Sequence, residues 1–302
     1  MTRTTVAPGI TWVHLVEPKP EELIALQQEF HLHELIAREL RTPSSRGKAE
    51  HHENYLYLVL HIPLWSAEDQ TSRRGEVDCI MTRAALLTVT YETLEPLETL
   101  AERIHGNDPT LGSITSTAQL THALVQTIND FSLRQLRHVE EKIQDVGARI
   151  FKRQDRTLLE EIGRIKRDIL DFSIIAASQR TTIESIATGN GTVWAATDEI
   201  YRSDLVNNAL KIDYLIERLQ VTIESHSDML SQLFQMRTAE VIRRFSIVGF
   251  LTFPLILYST IALQPSVIGD HIRTSGEFWG AFAIVAVFVG ILAAIFHRKG
   301  LL

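Results

Sequence analysis

Two long apolar runs near the carboxyl end constrain this sequence more than any other feature. The first extends from Phe245 to Leu263 and the second from Phe278 to Phe296, and each contains 19 residues without a charged side chain. At about 1.5 Å per residue, each run would form a helix of roughly 28 Å, which matches the hydrocarbon thickness of a bilayer. We therefore predict transmembrane helices at 245–263 and 278–296, with the lipid bilayer as a partner. A buried helical hairpin of a soluble protein is the alternative interpretation.

Basic residues stand at the two outer ends of this pair of runs. They are Arg237, Arg243 and Arg244 before the first run, and His297, Arg298 and Lys299 after the second. The connection between the runs carries one arginine and two acidic residues. Because positively charged flanks stay on the cytoplasmic side of a membrane, we predict a multi-pass protein of the cell (inner or plasma) membrane with both termini cytoplasmic. The connection at 264–277 is then an outer loop, and 297–302 is a basic cytoplasmic tail.

The first 115 residues have the pattern of an α/β domain. Short apolar runs bounded by turn residues predict strands at Thr11–Val16, Asn54–Ile62 and Cys79–Tyr91. Between the first two runs, apolar residues at helical spacing predict a helix over Pro20–Leu40. We therefore predict a cytoplasmic α/β domain at 1–115.

Long helices are predicted after residue 115. Two apolar stripes with spacings of three and four residues predict a helical hairpin at 116–197. A third stripe predicts a stalk helix at 198–244, and no proline or glycine lies between Trp194 and Gly249. The stalk helix should therefore continue into the first transmembrane helix. The third stripe consists of Leu205, Ala209, Ile212, Ile216, Leu219, Ile223, His226, Leu230 and Leu233.

The spacing of the third stripe is that of a coiled coil. A single pair of membrane helices cannot enclose a polar path, so we expect several copies of the chain around a symmetry axis. His226 in this stripe is either a ligand, a pH-sensitive group or a packed side chain. The fold class is α+β, with an amino-terminal α/β cytoplasmic domain, a long helical stalk and two carboxyl-terminal transmembrane helices.

Charge and composition argue against several other functions. The formal net charge of −7 offers no basic surface for phosphates, so we predict no nucleic-acid partner. Cys79 is the single cysteine, which leaves no partner for a disulfide or a thiolate metal site. We find no nucleophile motif, phosphate-binding loop or acid–base constellation. We therefore predict that the chain is not an enzyme and binds no cofactor permanently.

Several local sequences, together with this topology, resemble the CorA family of divalent-cation transporters. They are Phe30-His31-Leu32-His33-Glu34-Leu35, the segment Lys48–Leu60, Glu76-Val77-Asp78, Arg237-Thr238-Ala239-Glu240-Val241-Ile242-Arg243, Phe253-Pro254-Leu255 and His297-Arg298-Lys299-Gly300-Leu301. The resemblance implies a homopentamer whose first membrane helices line a central pore and whose cytoplasmic domains sense magnesium. Mg²⁺, or another divalent cation such as cobalt, nickel or zinc, would be both substrate and regulator.

The resemblance also implies which side of the first membrane helix faces the pore. Counted from Phe253-Pro254-Leu255, seven residues recur every three or four positions on one helix face. They are Ala239, Ile242, Phe245, Gly249, Phe253, Ile256 and Thr260. Most of them are apolar, so the cation would pass hydrated, and rings of Ile242 or Phe245 would gate the pore by dewetting.

The outer mouth departs from the family pattern. The family's hallmark Gly-Met-Asn closes the first membrane helix and falls here on Leu263-Gln264-Pro265. The amide oxygen of Gln264 and the carboxylate of Asp270 are the candidates for a substitute filter. The chain is then either a divergent transporter with a rebuilt mouth, or a non-conducting membrane-anchored sensor or assembly protein.

Three acidic residues are candidate metal ligands by the same resemblance. Asp204, at the head of the stalk, matches the position of the family's metal-sensing aspartate between neighbouring subunits. Glu98 or Glu95 is the partner that the resemblance implies. Carboxylates from two chains repel, and a bound divalent ion would relieve the repulsion and hold the closed state. The alternative for each acid is a solvated surface position.

Overall fold

A six-stranded mixed sheet forms the framework of the amino-terminal part of the chain. The computed structural model describes residues 1–66, 71–106, 108–152, 156–188, 198–262 and 275–298. The strands are β1 (Thr2–Ala7), β2 (Ile10–Val16), β3 (Lys48–His51), β4 (Leu56–Ser66), β5 (Thr71–Met81) and β6 (Ala85–Thr90). Their order is β1-β2-β6-β5-β4-β3, in which β2 and β6 are parallel and all other neighbours are antiparallel.

Seven α-helices accompany the sheet within the described residues. They are α1 (Pro20–Phe30), α2 (Glu34–Glu39), α3 (Glu95–His105), α4 (Thr117–Ile150), α5 (Arg156–Thr188), α6 (Glu199–Ala262) and α7 (Ser275–Arg298). The chain forms two compact units, Met1–Ser227 and Asp228–Leu302. The α+β class is confirmed, as is the single continuous helix predicted from the stalk into the first apolar run.

The sheet is buried on both faces, and much of its central strands is therefore apolar, as in Leu56–Leu60 of β4 and Ala85–Leu87 of β6. One face packs against α1 and α2 through residues such as Leu26, Ile36 and Tyr57. The other face packs against α3, α4, α5 and the start of α6, where Leu124 and Leu205 are fully buried. The amino-terminal unit therefore has two core layers, one on each side of the sheet.

Two of the predicted elements were wrong in their extent. The helix predicted over Pro20–Leu40 is broken at His31, whose φ of 51° is left-handed and ends α1. His33 then begins α2, because its Nδ1 accepts a hydrogen bond from the backbone N–H of Leu35 at 3.2 Å. Histidine does not mark the end of a helix as glycine or proline does. The apolar spacing alone therefore predicted one continuous helix.

The run predicted as one strand over Cys79–Tyr91 is a hairpin. Strands β5 and β6 are antiparallel neighbours, and Thr82 closes the turn between them. The hydroxyl of Thr82 accepts a hydrogen bond from the backbone N–H of Ala85 at 2.9 Å. The turn contains no glycine or proline, which is why the sequence pattern did not show it.

The stripe of α6 is buried within its own chain between Leu205 and Ile223. Polar contacts place α6 against α4 and α5: Arg218 donates to Glu140 at 2.8 Å, and Arg180 lies 3.2 Å from Asp213. The spacing correctly indicates a packed helix face. It does not distinguish a helical bundle within one chain from a coiled coil between chains. In this structure the apolar face of α6 packs against other helices of the same chain.

His226 is a packed side chain of this bundle. A Cβ atom built on Gly147 of α4 would lie 2.7 Å from Cε1 and 3.0 Å from Nε2 of His226. Glycine at position 147 therefore leaves the space that the imidazole ring occupies.

We predict that Gly147→Ala destabilises the protein relative to Gly163→Ala. Gly163, on α5, has open space where a Cβ would stand, so alanine there should raise the free energy of unfolding by about 0.5–1 kcal/mol. At position 147 the methyl group must displace the His226 ring, which costs about 1 kcal/mol or more. Thermal unfolding of the detergent-solubilised protein measures the difference. In a His226→Ala background, Gly147→Ala should behave like Gly163→Ala, and equal effects of the two alanines in the wild-type background would contradict the prediction.

Candidate pore helix and metal-sensing residues

The seven residues of the predicted pore face are exposed on α6 in the single chain. Phe245 is 74% exposed and Ile242 is 60% exposed, although both are large apolar side chains. Exposure alone does not select this face, because Val248 and Phe250 are exposed as well. The side of α6 that another helix covers shows more clearly which side remains free.

One side of this part of α6 packs on α7. The hydroxyl of Tyr258 donates a hydrogen bond to the backbone carbonyl of Phe278 at 2.7 Å, and the Tyr258 ring also lies against Phe282. The buried or half-buried residues of α6 in this region are Ile247, Leu251, Pro254, Leu255 and Tyr258. At about 100° per residue these positions lie roughly opposite the seven predicted pore residues. Helix α7 therefore covers the far side of α6 and leaves the predicted pore face uncovered.

Both α6 and α7 are long and apolar enough to span a membrane. The qualifying segments lie in Glu199–Ile261, with a mean hydropathy of 1.5 in its apolar window, and in Phe278–Arg298, with 2.5. The apolar windows are 6% and 0% buried within the chain. Because core helices of soluble proteins are mostly buried, the exposed surface of these helices argues against the soluble hairpin.

The predicted outer mouth lies outside the described residues. Leu263, Gln264, Pro265 and Asp270 all fall in the stretch between Ala262 and Ser275. Their role as a substitute filter stays a prediction.

Asp204 contacts a histidine rather than another acid. Its Oδ2 atom lies 2.9 Å from Nε2 of His122 on α4, and the Nδ2 of Asn208, one turn further along α6, donates to the same oxygen at 3.0 Å. The Asp204 side chain is 50% exposed, whereas that of His122 is only 16% exposed. Asp204 is therefore accessible to ions but is held in place from two helices.

The structure does not bring Glu95 or Glu98 to Asp204 within one chain. Glu95, in the first turn of α3, accepts a hydrogen bond from Arg134 at 2.8 Å. Glu98 lines a cavity of about 170 Å³ that is also bordered by Trp12, His14 and His105. Among the described residues, no group of three or more His, Cys, Asp or Glu side chains could hold a metal ion. A pair between Asp204 and Glu95 or Glu98 would have to include a second copy of the chain.

His122 was missed in the sequence. It is separated from Asp204 by 82 positions, and the two residues lie on different helices. No local spacing pairs them, so only the packing of α4 against α6 reveals the contact.

Strand β5 buries two further acids. Asp78 is 1% exposed and accepts hydrogen bonds of 2.7 Å from the hydroxyls of Tyr57 and Tyr91. Glu76 accepts two hydrogen bonds from the backbone N–H of Ser44, at 2.8 and 2.9 Å, and lies 3.5 Å from Nε2 of the buried His61. These acids therefore hold strands and a loop together rather than face solvent.

Burial raises the pKa of Asp78 to about 7, against the opposing effect of the two tyrosine hydrogen bonds. The nearby charge of Glu76 contributes to this rise. Burial also raises the pKa of the Tyr57 and Tyr91 hydroxyls, so both remain hydrogen-bond donors at neutral pH.

Comparison with known proteins gives a consistent result. The family described as "CorA-like Mg2+ transporter protein" matches residues 8–262. The protein "Cobalt/magnesium transport protein CorA" of Thermotoga maritima is 18% identical over 290 residues, which cover 96% of this chain and 82% of that protein.

Solved structures share the fold. The complete structure of the CorA magnesium transporter from Methanocaldococcus jannaschii has a TM-score of 0.81 and 16% identity, and the match covers 97% of this chain and 92% of that one. The ZntB cytoplasmic domain from Vibrio parahaemolyticus has a TM-score of 0.64 and 12% identity, over 75% of this chain and 88% of that one. At these identities the likeness establishes the fold.

We predict that Asp78 makes the protein less stable as the pH rises from about 4 to about 7. Between about pH 4 and pH 7 the folded protein retains on Asp78 a proton that the unfolded chain has released, so the free energy of unfolding falls as pH rises through this range. The decrease should be on the order of a few kcal/mol. Asp78→Asn should remove this part of the pH dependence of the thermal midpoint, and Asp130→Asn, at an exposed position on α4, should not. Identical pH profiles for the wild type and Asp78→Asn would refute the assignment.

Proposed function

Since the chain belongs to the CorA-like Mg²⁺ transporter family, we propose that it carries divalent metal cations across the cell membrane, with magnesium as the first cargo to test. Cobalt, nickel and zinc are the other candidates. The observation that carries the proposal is the uncovered apolar face of α6, opposite the side that packs on α7. Because α7 covers one side of α6 and leaves the other side free, the free sides of several α6 helices can face one another around a central axis.

Several copies of the chain would form the pore. One pair of helices cannot enclose a path, so we propose a homo-oligomer, with five copies as in the resemblance described above. Each copy would contribute Ala239, Ile242, Phe245, Gly249, Phe253, Ile256 and Thr260 to the central surface. Helix α7 would then lie outside this ring, toward lipid.

The chemistry of this surface favours a hydrated cation. Thr260 supplies the only side-chain oxygen among the seven residues, so a bare Mg²⁺ ion would find too few oxygen ligands. Rings of Ile242 and Phe245 would form apolar constrictions that close by dewetting. The rate of passage would therefore depend on the polarity of these two rings.

The membrane potential would supply the driving force. A potential of 100 mV is worth about 2.3 kcal/mol per elementary charge, hence about 4.6 kcal/mol for a divalent cation entering a negative cytoplasm. Both termini would be cytoplasmic, because Arg237, Arg243 and Arg244 precede the first span and basic residues follow the second. No enzymatic step is required.

Cytoplasmic metal would regulate the pore through Asp204. Its half-exposed carboxylate can bind a divalent ion together with a carboxylate from a neighbouring copy, for which Glu98 and Glu95 are the candidates. Binding would join two copies and hold the closed state, and loss of metal would restore the repulsion between the acids.

A non-conducting sensor or assembly protein is the second candidate. The observation that favours it is the replacement of the family's outer Gly-Met-Asn by Leu263-Gln264-Pro265. The amide of Gln264 would have to present the oxygen that the missing asparagine presents.

We predict magnesium entry into liposomes that contain the purified protein, an ion-sensitive dye and an inside-negative potential. Gln264→Ala should abolish entry, since it removes the proposed mouth ligand. Asp204→Ala should keep entry but make it less sensitive to internal magnesium, while the exposed Asp130→Ala on α4 should behave as wild type. A folded oligomer that passes no magnesium, cobalt, nickel or zinc would reject transport and favour the sensor.

We also predict that Ile242→Ser raises the flux at low internal magnesium. A hydroxyl in each copy would keep water in the constriction and lower the barrier, by about 1 kcal/mol or a several-fold increase in rate. Val248→Ser is the matched control, because Val248 is similarly exposed, at 53% against 60%, but lies off the predicted pore face. If both serines changed the flux equally, the assignment of the pore face would be wrong.

A further inference from the structure

Basic side chains gather where the apolar run of α6 begins and that of α7 ends. Within 237–246 and 295–298 the bases Arg237, Arg243, Arg244 and Arg298 stand against a single acid, Glu240. All four arginine side chains are exposed. The whole chain carries a formal net charge of −7, so this positive surface is opposite in sign to the chain as a whole.

The packing of α7 on α6 brings arginines of both helices together. The two helices are antiparallel, and Phe250 meets Phe296 with ring centroids 6.1 Å apart. Six residues separate Arg244 from Phe250, and two separate Arg298 from Phe296. At about 1.5 Å per residue, the two arginines therefore lie roughly 6 Å apart along the pair of helices.

Arg244 lies on the side of α6 that α7 covers further along the helix. At about 100° per residue, it is about 20° around the axis from each of the half-buried residues Leu251 and Leu255. Arg237 is also about 20° from Arg244, whereas all seven predicted pore residues lie about 100° or more away. These two arginines therefore belong to the flank of the helix pair, below the end of α7, and not to the predicted pore face.

The position of the arginines along the spans is that of the lipid headgroups. Arg244 directly precedes Phe245, where the first apolar run begins, and Arg298 follows the second run by two residues. Clusters of basic residues beside a membrane span attract the anionic lipids of the cytoplasmic leaflet. A guanidinium group also matches the geometry of a phosphate, to which it can donate two parallel hydrogen bonds.

The ion pair between Arg244 and Glu240 leaves room for such a ligand. The Nη2 atom of Arg244 lies 2.6 Å from Oε1 of Glu240, but the two side chains are 70% and 53% exposed. Exposed pairs of this kind are weak. Because a guanidinium group has five N–H donors, Arg244 can contact a phosphate and keep its contact with Glu240.

We propose that Arg244 and Arg298 bind the phosphate of an anionic phospholipid of the cytoplasmic leaflet, with Arg237 and Arg243 as flanking bases. The acyl chains would lie along the apolar surface of α7, where Ile291 is 56% exposed. This inference goes beyond cation transport. It rests on the proposed function only for the orientation, with both termini on the cytoplasmic side.

Lipid binding to the full-length protein, measured by native mass spectrometry from detergent, tests the proposal. The probes are dioleoyl phosphatidylglycerol and dioleoyl phosphatidylcholine, which share their acyl chains and differ in headgroup charge. We expect the anionic lipid to bind more tightly. Arg244→Gln and Arg298→Gln should each weaken its binding about fivefold, which is the value of one base near a charged membrane surface. Arg244→Lys keeps the charge and should retain most of the affinity.

Lys211→Gln is the matched control. Lys211 is also an exposed base of α6, but it lies 33 residues before Arg244 in the amino-terminal unit. Its replacement should leave the affinity for phosphatidylglycerol unchanged. The comparison of the two lipids on the wild-type protein needs no variant, so the test remains valid if a variant fails to fold.

Three results would overturn the proposal. They are equal binding of the two lipids, unchanged affinity for phosphatidylglycerol in folded Arg244→Gln and Arg298→Gln, and displacement of this lipid by millimolar inorganic phosphate. The last result would assign the arginines to a free anion. Lipid binding does not depend on conduction. A protein that binds phosphatidylglycerol as expected but passes no cation would keep this inference and lose the proposed transport, and a conducting protein that binds both lipids equally would do the reverse.

Discussion

The continuity of α6 as one helix is the constraint on which the other features depend. From Glu199 to Ala262 the backbone keeps 3.6 residues per turn, so the position of each side chain around the helix follows from its number. Pro254 does not end the helix, although its ring removes one backbone donor. Because α6 belongs to both compact units, one element carries Asp204 in the first unit and the predicted pore residues in the second.

The division of apolar side chains between covered and uncovered faces indicates which surfaces are left for other molecules. In the amino-terminal unit, the apolar stripe of α6 from Leu205 to Ile223 is buried against α4 and α5 of the same chain. Other apolar residues of the same helix, such as Tyr214 and Val221, remain more than 60% exposed. Beyond Asp228, α7 covers only one side of α6. Lipid or further copies of the chain would cover the rest, because exposed apolar area of this extent is costly in water.

Polar groups in this structure act mainly by joining elements that are distant in sequence. Asp78 ties β5 to Tyr57 on β4 and to Tyr91 at the end of β6, and His122 ties α4 to α6. The local sequence Glu76-Val77-Asp78 contributes to the resemblance to a known family, but it indicates neither the burial of these acids nor their partners. The raised pKa of Asp78 depends on its burial and on those partners, and therefore on the packing.

Local sequence patterns predicted the two apolar spans, the α+β class and the continuity of α6, because these features depend on local periodicity, on charge and on the lack of proline and glycine between Trp194 and Gly249. The sequence also placed the seven candidate pore residues on one helix face, since the angle between residues of one helix is set by its geometry. The tertiary structure alone decided that the α6 stripe packs within its own chain, that His31 separates α1 from α2, and that Asp204 meets His122. Those outcomes depend on contacts between residues far apart in sequence and on single backbone torsions, which no local pattern encodes.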